Sequence, residues 1–136
     1  MLLEQDRFNG LAGFRYALRR FLAASEEISR VAGVTPRQYQ ALLAIKAREP
    51  QAMAMKDLAD ELLLTHHAAV QLVDRLAKAG LAVRHPAPQD RRRVILGLTP
   101  KGDSLVCDLA EGHLEAMLEQ EPLLTASLKR LKKLGD

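Results

Sequence analysis

The sequence predicts a mainly helical protein with one small β-hairpin, an α+β fold, and three observations support this. Most apolar residues recur at helical spacing, glycines and prolines fall mainly where that spacing is interrupted, and one late stretch has two short apolar runs around a proline- and arginine-rich tip. The 136 residues suit a single domain with a buried core, and the 48% hydrophobic content is ordinary for a globular protein.

The most informative stretch, residues 65–99, opens with an amphipathic helix. Thr65 is a good N-cap, and Gly80 suits the left-handed position that ends a helix. Between them, four apolar residues follow the i, i+3, i+4, i+7 rule and are expected to form one buried stripe: Ala69, Leu72, Val73 and Leu76. The polar residues of this helix are therefore expected on its outer face.

A basic-tipped hairpin is expected directly after this helix. Residues 81–84 and 94–98 are predicted strands, and the tip between them contains Pro86, Pro88 and the charged run 90–93, which no buried turn could hold. A helix with a polar outer face followed by such a hairpin is typical of a winged helix that binds DNA.

Three helices and a minimal strand are predicted before this stretch. A long helix is expected from Asp6 to about Ser29, with a break at 31–34. Thr35 then supplies an N-cap, Pro36 the tolerated first position and Gln38 a capping box for a second helix.

Residues 53–55 are predicted to form a minimal strand, and residues 56–63 are predicted to form a short helix. Only Leu64 and Thr65 separate that helix from the next one, which is a helix-turn-helix pattern. The fold predicted for the chain is thus a winged helix-turn-helix.

A helix capped by Thr99 follows the hairpin and is expected to run to about Gln120. Pro122 is predicted to break it before a last short helix at 123–134. The helix that Thr99 caps has an apolar band wider than one stripe, as expected if this helix also packs against a second subunit. We therefore expect one domain over 1–136, with a winged helix-turn-helix core at about 35–100 and dimerisation helices at 1–33 and 101–136.

Three segments resemble the MarR (multiple antibiotic resistance regulator) family of bacterial transcription factors: TPRQYQALLAI at 35–45, LADELLLTHHAAVQLVDRLAKAGLAVR at 58–84 and DRRRVILGLTPKG at 90–102. The last is the most specific, because an acidic–basic wing cluster is followed at fixed distance by Leu98, Thr99 and Gly102. One departure is Leu63, at a turn position that is often glycine in the family.

The resemblance implies a homodimer that places two winged helices on a palindromic operator in double-stranded DNA. It further implies a transcriptional regulator, most often a repressor that a small phenolic or anionic effector releases from DNA. No cofactor is implied.

The outer face of the helix at 66–78 supplies the first predicted DNA contacts. His67, Ala68 and Gln71 would face base edges, since Gln can pair with adenine and an Ala methyl can meet a thymine methyl. His66 and Arg75 are better placed for phosphates, which position the helix without selecting sequence.

The hairpin supplies the second set of predicted contacts. Arg92 is expected to enter a narrow minor groove, where negative potential is enhanced, with Arg91 and Arg93 as phosphate or structural partners. Asp90 would repel phosphate, so its expected role is an ion pair that fixes the direction of Arg92 or Arg91. The full predicted DNA-binding set is His66, His67, Ala68, Gln71, Arg75, Arg84, Arg91, Arg92 and Arg93.

Other classes of function find less support in the sequence. There is no phosphate loop, nucleophile elbow or HExxH motif, so the chain is not expected to be an enzyme. There is no apolar run that could span a bilayer and no signal peptide, and a single cysteine suits a reducing cytoplasm. The net charge of +3 is too small to prove a nucleic-acid partner by itself.

Two alternatives remain open at this point. One is an oxidant- or metal-responsive regulator, although Cys107 is expected to be a small core residue and the four histidines form no i, i+4 chelate. The other is a winged-helix protein-interaction module that does not bind DNA. The effector site is unknown from sequence, and the only guesses for its lining are Tyr39, Arg15, Tyr16 and His113.

Overall fold

The computed structural model describes residues 2–135, and its side chains from residue 4. This part of the chain contains five helices and three strands, in the order α1 (Leu2–Val31), α2 (Pro36–Arg48), β1 (Met53–Ala54), α3 (Met55–Glu61), α4 (His66–Lys78), β2 (Ala82–Pro86), β3 (Val94–Leu98) and α5 (Pro100–Gly135). The mainly helical fold with a small β-hairpin is therefore confirmed.

The chain divides into two compact units. Residues 33–109 form one unit, which contains α2, α3, α4, the sheet and the start of α5. Helix α1 and the part of α5 from Ala110 onward form the other. The unit boundary falls inside α5.

The sheet is antiparallel with strand order β1-β3-β2. In the hairpin Ala82 pairs with Leu98 and Pro86 with Val94, so β2 runs further into the predicted tip than the sequence indicated. Pro86 is tolerated because it ends an edge strand, where a missing N–H removes no ladder bond. The next residue closes the hairpin, since Ala87 N donates to Arg93 O at 2.8 Å.

The core of the 33–109 unit lies between the sheet and its helices. The predicted stripe of α4 is buried there, in contact with apolar side chains from the neighbouring elements, among them Leu42, Leu58, Leu81, Leu96 and Val106. Removal of this apolar surface from water stabilises the unit and leaves the opposite face of α4 exposed.

The predicted helix caps are present. Gln38 N donates to Thr35 Oγ1 at 3.1 Å, and Thr35 N donates to Gln38 Oε1 at 2.9 Å, which completes the capping box of α2. Ala68 N donates to Thr65 Oγ1 at 3.1 Å at the start of α4. Gly80 follows α4 with a φ of +74°.

The short helix α3 ends at Glu61, two residues before the predicted end. Leu63 has a φ of +56°, a left-handed conformation that stops the helix and turns the chain towards α4. A left-handed conformation therefore occurs at the turn position that is often glycine in the family.

Helix α1 is longer than predicted, because it includes residues before Asp6 and reaches Val31. Its two early glycines are packing positions. A Cβ at Gly10 would lie 2.8 Å from Leu131 side-chain atoms, and one at Gly13 would lie 2.6 Å from Ser127 Oγ. The glycines allow α5 to approach α1 closely in this unit.

The predicted break at Pro122 is wrong, because α5 continues through it as one helix. A proline removes one hydrogen bond and crowds the preceding turn, but packing can hold the helix together. Residues beyond the proline, including Leu123, Ser127 and Leu131, pack against the glycine side of α1. This tertiary contact offsets the local cost.

Candidate nucleic-acid interface

The outer face of α4 is the first part of the candidate site, and we call α4 the recognition helix. His66, His67, Gln71 and Arg75 are exposed there, and Ala68 is half-buried. These residues lie off the buried stripe, as the 3.6-residue period requires. The structure thus leaves all five predicted contacts of this helix accessible to a partner, Ala68 only in part.

An ion pair connects the recognition helix to the hairpin. Arg84 Nη1 on β2 donates to Asp74 Oδ1 on α4, and both side chains are partly exposed. Sequence reasoning placed Arg84 among direct DNA contacts, whereas here its guanidinium is engaged by a carboxylate of the same chain. Asp74 was not singled out because the pairing depends on how β2 packs beside α4.

The hairpin 82–98, which we call the wing, presents its arginines in different environments. Arg92 donates to Asp90 Oδ1 from its backbone N at 3.0 Å and from Nε at 3.3 Å, while its side chain is 94% exposed. Arg91 is exposed and forms no ion pair with the described residues. The carboxylate of Asp90 therefore orients Arg92 without covering it.

Arg93 points to a different carboxylate. Its Nη2 lies 3.9 Å from Asp57 Oδ2, and the same oxygen lies 3.7 Å from Arg48 Nη1. Asp57 Oδ2 also accepts a hydrogen bond from Ala54 N at 3.2 Å, at the start of α3. One carboxylate thus links the wing, α2 and the first turn of α3.

Two clefts adjoin the recognition helix. The larger, of about 580 Å³, lies between α3, His66 and the wing, and is lined by Ala54, Met55, Lys56, Asp57, Asp60, His66, Arg92, Arg93 and Val94. The smaller, of about 240 Å³, lies between α2 and α4, and is lined by Thr35, Arg37, Gln38, Leu64, Ala68, Gln71, Leu72 and Arg75.

Sequence reasoning missed Lys56 and Arg37, which line these clefts. Both are exposed cations in the first turn of a helix that precedes the recognition helix in the chain. Their position in the first turn of a helix could have been recognised from the sequence, but only the fold shows that these first turns lie beside α4.

The end of the recognition helix is attached to the start of α5. Thr99 Oγ1 donates to Gly80 O at 2.6 Å, and Lys101 Nζ donates to Ala79 O at 3.0 Å. Gly102 packs directly on the Leu81 carbonyl, where a Cβ would lie 2.9 Å from the carbonyl carbon. This contact explains in structural terms why a glycine follows Leu-Thr at this distance.

The remaining predicted residues are the four guesses for an effector pocket and Cys107. Tyr39 is in the core of the 33–109 unit, where burial raises the pKa of its phenol. Tyr16 and Arg15 are exposed on α1, and His113 is buried in the other unit. The expectation that Cys107 is a core residue is wrong, because it is exposed on α5.

No group of three or more His, Cys, Asp or Glu side chains within residues 2–135 is arranged to hold a metal ion. No helix in the same part of the chain is long and apolar enough to cross a membrane.

Comparison with known proteins extends this description. Residues 32–93 match the sequence profile of the MarR family. YkoM of Bacillus subtilis (strain 168), an uncharacterized HTH-type transcriptional regulator, is 30% identical over 103 residues, which are 74% of this chain and 66% of that protein. The chain spans about two thirds of the length of that relative.

Two solved structures resemble the fold. AbsC, a MarR family transcriptional regulator from Streptomyces coelicolor, is 23% identical, with a TM-score of 0.76 over 87% of this chain and 81% of its own. A variant of S. aureus MepR bound to an oligodeoxyribonucleotide is 25% identical, with a TM-score of 0.65 over 83% of this chain and 79% of its own. The matched residues, which carry most of the winged helix-turn-helix, therefore belong to the MarR family of transcriptional regulators.

Proposed function

We propose that this chain acts as a homodimeric repressor that binds operator DNA through the recognition helix and the wing and is released by a small ligand. One observation carries the proposal: the face of α4 opposite the core and the tip of the wing are exposed and rich in basic and amide side chains. A phosphate backbone is the partner that such a surface fits best.

Residues of the recognition helix divide into two roles. Gln71 and His67 would contact base edges in the major groove, with the Ala68 methyl against a thymine methyl. His66 and Arg75 would contact phosphates and set the register of the helix. Base contacts determine which operator is chosen, whereas phosphate contacts add affinity for any duplex.

The wing would contact the adjacent minor groove. Arg92 is exposed and oriented by Asp90, so it would enter the groove with little further loss of side-chain freedom. Arg91 would contact the backbone beside it. Arg93 is held near Asp57 and would support the wing as well as contact phosphate.

Dimerisation would use apolar surface on α1 and α5. Several large apolar side chains on these helices are at least 50% exposed: Phe8, Leu22, Val31, Leu114, Met117, Leu118 and Leu128. This much exposed apolar surface indicates an interaction site, and a second copy would bury it. A two-fold dimer would place its recognition helices about 34–36 Å apart on successive major grooves.

Ligand release would follow from the dimer geometry. A small phenolic or anionic compound that binds better to a dimer with another spacing would shift the population away from the DNA-bound form. A near-complete switch needs about 5 kcal/mol of differential affinity. A screen of such compounds, read out as a decrease in the fluorescence anisotropy of the bound duplex, tests ligand release separately from DNA binding.

The central test is fluorescence anisotropy with a duplex from upstream of the gene for this protein and a scrambled duplex, over a series of salt concentrations. We expect selective, salt-dependent binding that weakens in Arg92→Ala and is unchanged in Arg30→Ala, a matched loss of charge on α1. Equal, weak binding of both duplexes, together with no selected fragments from genomic DNA, would contradict the proposal. Sedimentation of the free protein as a monomer would contradict the dimer.

A further inference from the structure

The smaller cleft beside the recognition helix combines two cations without a carboxylate. Arg37 and Arg75 both line it, and none of its lining residues is acidic. Within the described residues neither arginine forms an ion pair, whereas Arg84, Arg92 and Arg93 each have one. Two arginines at one cleft repel each other, so an external anion would stabilise the arrangement.

Arg37 is held in place from both sides. The residue before Pro36, Thr35, and the residue after Arg37, Gln38, form the capping box of α2. The backbone that carries Arg37 is therefore fixed, while its side chain remains exposed. Such a cation can bind a surface partner without ordering a loop first.

Helical geometry places this cleft on the opposite flank of α4 from the wing cleft. His66 lines the wing cleft, and at about 100° per residue it is separated from Gln71 and Arg75 by about 140–180° around the helix axis. The outer face of α4 lies between these two flanks, with His67 near its centre.

A helix about 10–12 Å in diameter fills a major groove about 12 Å wide. Its two flanks then face the two backbones that border the groove. With His66 and the wing against one backbone, the cleft of Arg37 and Arg75 faces the other. We infer that Arg37, together with Arg75, binds a backbone phosphate on the strand across the major groove from the wing.

This inference rests on the proposed DNA binding and adds a residue outside the recognition helix and wing. Arg37 would increase affinity for every duplex and leave base selectivity unchanged, because it contacts no base edge. Each phosphate contact contributes about 0.9 to the slope of log affinity against log salt.

The test is the salt slope of wild type, Arg37→Gln, Arg37→Lys and Arg30→Gln on the upstream and scrambled duplexes. Arg37→Gln should lower the slope by about 0.9 per chain, and affinity should fall by the same factor on both duplexes. Arg37→Lys should keep the wild-type slope, since a lysine also neutralises a phosphate. Arg30→Gln removes the same charge from α1 and should change neither quantity.

Two results would overturn the inference while leaving the proposed function intact. One is a wild-type slope in Arg37→Gln on a protein that binds its operator. The other is an equal decrease in salt slope and affinity in Arg30→Gln, which would show that the effect comes from net charge. Wild-type protein that binds no duplex would overturn both, and thermal unfolding of each variant confirms that the fold is retained.

Discussion

Asp74 on the recognition helix and Arg84 on β2 form an ion pair between the two elements that are proposed to contact DNA. Both side chains are partly exposed, so the pair contributes little to stability, at most about 1 kcal/mol. Its more important effect is on the interface. A carboxylate near the face of α4 that is proposed to contact DNA would repel phosphate unless a guanidinium neutralised it.

The removal of Asp74 and the removal of Arg84 should therefore have opposite effects on DNA affinity. Asp74→Asn frees Arg84 and removes the repulsion, so we expect tighter binding to scrambled DNA and a smaller ratio of specific to non-specific affinity. Arg84→Gln leaves Asp74 unneutralised and should weaken binding to both duplexes. Anisotropy titrations at one salt concentration measure this, and equal weakening in both variants would mean that the pair mainly positions the wing.

The contact between Gly102 and Leu81 should make the start of α5 intolerant of a side chain. In Gly102→Ala the new Cβ would collide with the Leu81 backbone, and we expect a loss of about 1–3 kcal/mol in the free energy of unfolding. Gly112→Ala is the matched control, because the nearest atoms to its Cβ would be those of the Ile28 side chain, at 3.5 Å or more. It should gain up to about 1 kcal/mol from helix propensity.

Urea unfolding followed by circular dichroism compares these two alanine variants. The difference in sign between them is the decisive result. If Gly102→Ala is as stable as Gly112→Ala, the attachment of α4 to α5 is more adaptable than its geometry indicates.

Leu63 combines a left-handed backbone with an exposed side chain. Its φ is +56° and it is 92% exposed, so its side chain contributes little packing to offset the backbone strain. Asparagine tolerates this conformation better, and Leu63→Asn should stabilise the protein by about 0.5–1 kcal/mol. Leu64→Asn should destabilise it, because Leu64 packs against the core. Thermal unfolding tests both, and destabilisation by Leu63→Asn would contradict the strain.

His113 should make stability depend on pH. It is buried, with Nδ1 3.0 Å from Ser25 Oγ, and burial lowers its pKa below 6.5. The unfolded chain then binds the proton more readily than the folded chain does. The contribution of neutral, buried His113 to stability is therefore fully present above about pH 6.5 and is lost as the pH falls below that value. Wild type should lose more stability than His113→Gln between pH 7.5 and 5.5 in urea titrations. Parallel pH profiles would exclude His113 as the cause.

Much of the fold could be predicted from sequence because its signals are local. A capping box requires residues three apart, as at Thr35 and Gln38, and a buried stripe requires only the helical period, as in α4. The prediction of a basic wing beside a polar helix face rested on the same kind of signal, and the exposed positions of His67, Gln71 and Arg92 agree with it.

Both errors on α5 concern which of its sides pack against segments distant in sequence. Pro122 should end a helix by local rules, yet packing against Gly10 and Gly13 of α1 keeps α5 continuous. Cys107 was expected to be buried, but its side of α5 is exposed in this structure.

The sequence by itself determined the order of elements, their caps and the chemical character of the recognition helix and wing, because these depend on residues within one or two turns of each other. Only the tertiary structure decided which charges meet. Asp74 with Arg84, Asp57 with Arg93 and Arg37 beside Arg75 are each set by the packing of separate elements, and charge interactions act through space at distances that sequence order does not fix.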